Sequence, residues 1–258
     1  MNAARLAAPL VAVLVMGVSG WASPVRAQDY MFQGFAAMDA MNTLHANVLD
    51  QTLRASGADN TPRQWRGRSR SDAPAATPAP TPVRPQDLAF RRDPAVTRQV
   101  QAEFVRTISR SAPEAGQEIE TLFRSADPIT AASPAFRRFG LDTANVVDAV
   151  AIYYLAMWGA ANSQEASMTS AQARGARAHV ARAVNFGGMG LNTPAARQRF
   201  AETLIYQGLL MDAAIEQAQN SGDTALQRTL SNAAHAQMRG MGLDMRQLQI
   251  TGEGFVPR

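Results

Sequence analysis

Apolar positions three and four residues apart run through the chain from Asp87 onward, the repeat expected of helices that turn one side to a core. Val96, Val100, Phe104 and Ile108 follow Asp93-Pro94, where the aspartate offers a capping acceptor and the proline takes a first-turn position that needs no N–H. Ser111-Ala112-Pro113-Glu114 has capping-box spacing and predicts a short helix carrying Ile119, Leu122 and Phe123. A third helix, capped by Asp142 or Thr143, runs to about Ala161, and a fourth, capped by Ser170, ends near Asn185. Thr193-Pro194 opens the longest one, with Phe200, Leu204, Gly208, Met211 and Ile215 on one stripe. Ser221 to Asp223 separate it from a last helix ending at Gly240. No alternating strand pattern precedes the tail, where Leu248-Gln249-Ile250 allows only a brief extended piece. The expectation is an all-α, bundle-like domain of about six helices over residues 87–258, with no repeat period that would make a solenoid.

One helix belongs at the centre. From Val146 to Trp158 apolar groups surround the axis, and a helix apolar all round is buried by its neighbours. The run is too short for a membrane span and contains Asp148.

Three segments precede this domain. Residues 1–27 read as a signal peptide: Met1 to Arg5 carry a positive charge, Leu6 to Gly20 are mostly apolar, and Val25-Arg26-Ala27 sets small residues where a signal peptidase reads them. Cleavage after Ala27 predicts an exported chain, periplasmic or secreted, with no membrane span once the signal is removed and no cysteine for a lipid anchor. Residues 28–60 read as an amphipathic helical segment, with Met31, Phe35, Met38, Met41, Leu44 and Val48 along one side of Asp29 to Ser56. Residues 61–86 are rich in proline and arginine and predict a disordered linker, because they hold too little apolar surface to offset the entropy of ordering.

Charge refines the picture. Every basic side chain is arginine, and the formal net charge is +4, of which the signal contributes Arg5 and Arg26. The linker holds Arg63, Arg66, Arg68, Arg70 and Arg84 against Asp72, so the remainder is near neutral and no nucleic-acid partner is expected. Arg63 to Arg70 with Trp65 reads as a solvated linker in preference to an anion-binding strip. The absence of cysteine means that no disulfide supports the fold and no thiol serves catalysis.

Phe139-Gly140-Leu141 followed by Asn145, Asp148-Ala149, Tyr153 and Trp158, then Gln198, Ala201-Glu202 and Gln207, then Gly242 to Leu248 with Thr251 and Gly254-Phe255, together resemble an uncharacterised bacterial family, domain-of-unknown-function family 6683. The resemblance covers roughly Asp87 to Phe255 and implies a single helical domain in an exported protein. It implies no activity.

Candidate chemistry is sparse. No serine lies in a G-x-S-x-G elbow, and His45, His179 and His235 are scattered, without metal-ligand spacing; no cofactor or metal is expected. Gly187-Gly188-Met189-Gly190 lies between helices, where a turn outweighs a phosphate loop. Asn145, Asp148 and Asn162 share a side of the central helix, and Glu202, Arg197 and Arg199 are possible partners if the long helix packs on it. Asp148 and Glu202 are the only residues to nominate as an acid/base carboxylate pair, and a satisfied polar network that fixes helix register is the favoured reading. Tyr153, Tyr154 and Trp158 read as packing residues. The expectation is a non-enzymatic binding or interaction module of the cell envelope, its partner a protein or glycan; the alternative is a carboxylate-dependent hydrolase or lyase.

Overall fold

Proline sets the start of helix after helix. The computed structural model describes residues 84–163 and 168–258, and in it α1 (Pro94–Ser111), α2 (Pro113–Ser125), α3 (Pro128–Arg138) and α6 (Pro194–Asn220) all begin on proline, whose missing N–H costs nothing in a first turn. Asp93, Asp127 and Thr193 cap three of them by accepting from Ala95, Ile129 and Ala196 N–H. The remaining helices are α4 (Val146–Asn162), α5 (Ser170–Ala183) and α7 (Thr224–Gly240), and a two-stranded hairpin follows, β1 (Leu248–Thr251) antiparallel to β2 (Gly254–Pro257). The fold is all-α but for that hairpin. The signal, the amphipathic segment, His45 and most of the linker lie outside the described residues.

Several local expectations are corrected. The Ser111 capping box does not form: Ser111 closes α1 and donates to Ile108 O at 3.3 Å, while Ala112 caps α2 without a side-chain bond. Asn145, not Asp142 or Thr143, caps α4, because its Oδ1 reaches Val147 N–H at 2.9 Å while Asp142 Oδ1 is occupied by Ala144 N–H at 2.9 Å. Thr169, one residue before Ser170, caps α5 in a true capping box with Gln172. A 3-10 turn at Pro85–Leu88 is tied to α4 by Asn145 Nδ2 donating to Pro85 O at 2.9 Å.

Helix α4 is the axis of the core, buried on nearly every side, and it packs most extensively against α6, then α7 and α5. At Gly208 the two central helices come close: a Cβ there would lie 3.4 Å from Ala156 Cβ and 3.5 Å from Tyr153 Cα, so a larger side chain would push them apart. α1 and α2 pair with each other, and α1 also covers α6. Phe104, Phe123 and Tyr206 meet edge-on or tilted where α1, α2 and α6 converge. The hairpin lies on α5, with its backbone seated on Gly175, where a Cβ would meet Gly252 O at 2.5 Å. Two phrases of the family resemblance are helix endings. Gly140 and Gly242 take positive φ after α3 and α7, and Leu141 and Leu243 N–H reach back to Phe136 O and Met238 O.

Candidate functional site

The stretch after the first 3-10 turn runs beside the start of α4, with Phe90 N–H on Ala144 O at 2.9 Å, and delivers Arg92 to the α1–α6 interface. There Arg92 Nε donates to Glu202 Oε1 at 2.7 Å, and its Nη1 donates to Asp127 Oδ2 at 2.8 Å and Thr130 Oγ1 at 2.9 Å. Glu202 is 0 % exposed. Its Oε1 also accepts from Thr97 Oγ1 at 2.8 Å and Gln198 Nε2 at 3.0 Å, and its Oε2 is buried without a hydrogen bond among the described residues. Gln198 pins Asp93 from both sides, accepting from its N–H and donating to its carbonyl at 2.8 Å each. Tyr206 extends the network, its hydroxyl between Gln101 Nε2 at 2.9 Å and Asp127 Oδ1 at 3.3 Å. Burial alone would raise the Asp127 carboxyl, but the hydrogen bonds from Arg92 and Thr130 outweigh it and hold the group below its ordinary value. Burial pushes the Tyr206 phenol strongly up.

Asp148 stands in a different network. It is paired with the Arg177 guanidinium from α5, and its other oxygen accepts Asp142 N–H at 3.0 Å. Burial raises its carboxyl, opposed by the Asp142 N–H and by Arg177. The two nominated carboxylates therefore share no partner: each has its own arginine, and each joins different segments of chain. Arg197 and Arg199 do not serve Glu202. Arg197 Nε donates to Leu191 O at 2.8 Å, and Arg199 turns to Gln99 and Glu103 on α1. Only a guanidinium entering from the α1 side reaches an acid sealed between α1 and α6. The polar residues of α4 are likewise separate: Asn145 caps, Asp148 pairs, and Asn162 lies at the far end, where its Oδ1 accepts from Arg258 at 2.7 Å.

A third acid, partly buried, was not anticipated from the sequence. Asp212, on α6, lines a void of about 20 Å³ with Phe136, Leu141, Ile152 and Leu155. Burial and the neighbouring Glu216 push its carboxyl up to about 6. Tyr153, Tyr154 and Trp158 pack in or against the core; Tyr153 OH accepts from Gln237 Nε2 at 2.7 Å, and Trp158 Nε1 donates to Leu248 O at 2.9 Å.

At the carboxy-terminal end of α4 lies a cleft of about 520 Å³, lined there by Asn162 and on the α7 side by Thr224, Gln227, Arg228 and Ser231. Arg246 and Arg258 from the tail complete it, and among the described residues no carboxylate side chain lines it. Arg246 Nε donates to Ala161 O at 3.0 Å, and its Nη2 to Ser231 Oγ at 3.0 Å and Asn232 Oδ1 at 2.8 Å. Arg258 Nε donates to Leu248 O at 3.1 Å. Sequence spacing gave no hint of this convergence, since Arg228 is on a helix and the other two are in the tail. Among the described residues, no three histidine, aspartate or glutamate side chains come together as a metal ion would need, and no helix is long and apolar enough to cross a membrane.

These features define an all-helical domain with two arginine–carboxylate networks in its interior and a cleft lined by three arginines at one end. The chain belongs to a family of unknown function (DUF6683), whose model matches residues 4–258. The match extends beyond the Asp87–Phe255 resemblance to take in the amino-terminal segment and the linker. No curated protein and no solved structure matches the chain.

Proposed function

We propose that this protein is an exported, non-enzymatic binding module of the cell envelope, its partner an envelope protein or glycan. Export is read from Met1 to Ala27, with their charged start, apolar run and small-residue cleavage site. The observation that carries the binding reading is the commitment of both nominated acids to the fold. Glu202 is sealed from solvent against Arg92, and Asp148 is held by Arg177 and a backbone N–H. A general acid or base must come within hydrogen-bond reach of a substrate proton, and neither carboxylate is placed to do so.

The test is capture from an envelope extract by the purified protein, in parallel with Asp148→Asn and Glu202→Gln variants. The reading expects a retained protein or glycan, captured equally by whichever variants remain folded. A chemical turnover abolished in a variant of unchanged melting temperature would replace it with the hydrolase or lyase alternative. Intact mass of the exported form is expected to begin at Gln28; a chain recovered outside the cytoplasm with Met1 retained would contradict cleavage after Ala27.

A further inference from the structure

We infer that the cleft formed by the end of α4, the first turns of α7 and the carboxy-terminal tail binds a small hydroxylated molecule bearing at least two phosphate or carboxylate groups; the inference rests on the binding-module reading above and names its ligand class. Among the described residues, Arg228, Arg246 and Arg258 have no carboxylate side chain as partner. Arg92 and Arg177 are neutralised by carboxylates, as are Arg199 by Glu103 and Arg124 by Glu120. Arg246 and Arg258 are anchored on carbonyl, amide and hydroxyl oxygens alone. Neutral acceptors orient a guanidinium without cancelling its charge, so both groups are held in place and remain cationic toward the cleft. Arg228, exposed on α7, has neither a hydrogen bond nor an ion pair among the described residues.

Among the described residues, the neighbouring acids Asp244 and Asp223 form no ion pair with these three arginines. Asp244 Oδ1 accepts Arg246 backbone N–H at 3.2 Å and lies 3.6 Å from His235 Nδ1, and Asp223 Oδ1 accepts Leu226 N–H at 2.9 Å as the cap of α7. Three cationic groups around one cleft favour a ligand with more than one anionic group, because planar guanidinium forks match the oxygens of phosphate and carboxylate. Thr224 and Gln227 add neutral polar groups suited to hydroxyls, and among the described residues no aromatic side chain lines the cleft to stack on a planar base. The volume of about 520 Å³ is in the range of small-molecule sites.

The probes are inorganic pyrophosphate and citrate, titrated calorimetrically into the purified protein at constant ionic strength set with sodium chloride. Saturable one-to-one binding of at least one probe is expected, weakening as salt is raised because the cleft is open to solvent. Pyrophosphate alone would identify a phosphate-bearing ligand, and citrate alone a carboxylate-bearing one. Arg228→Gln is expected to weaken binding roughly three- to tenfold, the loss of one charge-assisted contact, with an unchanged melting temperature. Arg258→Gln is expected to weaken it comparably, and Arg98→Gln, on exposed α1 surface, to leave it unaltered. Absence of saturable binding by both probes, or wild-type affinity in both Arg228→Gln and Arg258→Gln, would overturn the inference. Capture of an envelope partner by a protein that ignores both probes would remove the cleft alone, whereas turnover dependent on Asp148 or Glu202 would remove the module reading alone.

Discussion

The arginines at the two ends of the molecule do opposite things with the same chemistry. Near the amino-terminal end of the domain, Arg92 spends its donors on Glu202, Asp127 and Thr130, and its charge disappears into the fold. At the carboxy-terminal end, the Arg246 guanidinium makes three hydrogen bonds, all to neutral oxygens, and its charge survives. Five donors on a rigid plane suit guanidinium to both tasks, and the partner decides which one it performs. A basic chain without lysine is therefore not uniformly basic in its effects. The charge available to a ligand is what remains where no acid follows the arginine into the structure.

The largest effect that sharpens this contrast should come from breaking a buried pair. Arg92→Leu leaves Glu202 charged and sealed, and a loss of about 3–5 kcal/mol is expected in chemical or thermal unfolding. A loss no greater than that of Arg246→Leu would erase the distinction between the two ends. Asp148→Ala is expected to cost about 1–3 kcal/mol, since Arg177 and the Asp142 N–H lose their acceptor. Asp212 works in the other direction. Its carboxyl is raised to about 6 in the fold from an ordinary 3.8, so the folded state binds the proton more tightly, and stability falls as pH rises from about 4 to about 6 and levels above. Asp212→Asn should therefore stabilise the protein above that window, by on the order of 1 kcal/mol, with the gain gone below about pH 4. A gain independent of pH would show that packing, not charge, sets the effect. The smallest change is expected at Arg228→Gln, within about 0.5 kcal/mol, because an exposed side chain without partners contributes little to folding.

Much of the architecture was legible in local sequence because it is written in local chemistry. Asp93-Pro94 and Thr193-Pro194 mark true starts, and the apolar girdle of Val146 to Trp158 identifies the central helix from composition alone. Helix α3 was not read, although Asp127-Pro128 carries the same start signal, because Pro134 lies inside a helix of only 11 residues and argues against it. The cap of α4 was misplaced at Asp142 or Thr143; Asn145 takes it, with its Nδ2 held on Pro85 O and its Oδ1 on Val147 N–H.

The sites were far less legible. Glu202 finds Arg92 across 110 positions and Asp148 finds Arg177 across 29, distances at which no spacing rule operates. The cleft depends on the tail folding back along α5, which in turn needs the bare backbone of Gly175 beneath the hairpin. Nothing in the local pattern of Arg228, Arg246 or Arg258 announces that they meet.

The most direct test of the division between the two ends measures melting temperature and pyrophosphate affinity in the same three proteins: wild type, Glu202→Gln and Arg228→Gln. The account predicts a crossed result, in which Glu202→Gln melts lower but binds pyrophosphate as wild type does below its transition, while Arg228→Gln melts as wild type and binds more weakly. Both effects falling on Glu202→Gln, with Arg228→Gln indistinguishable from wild type, would contradict it.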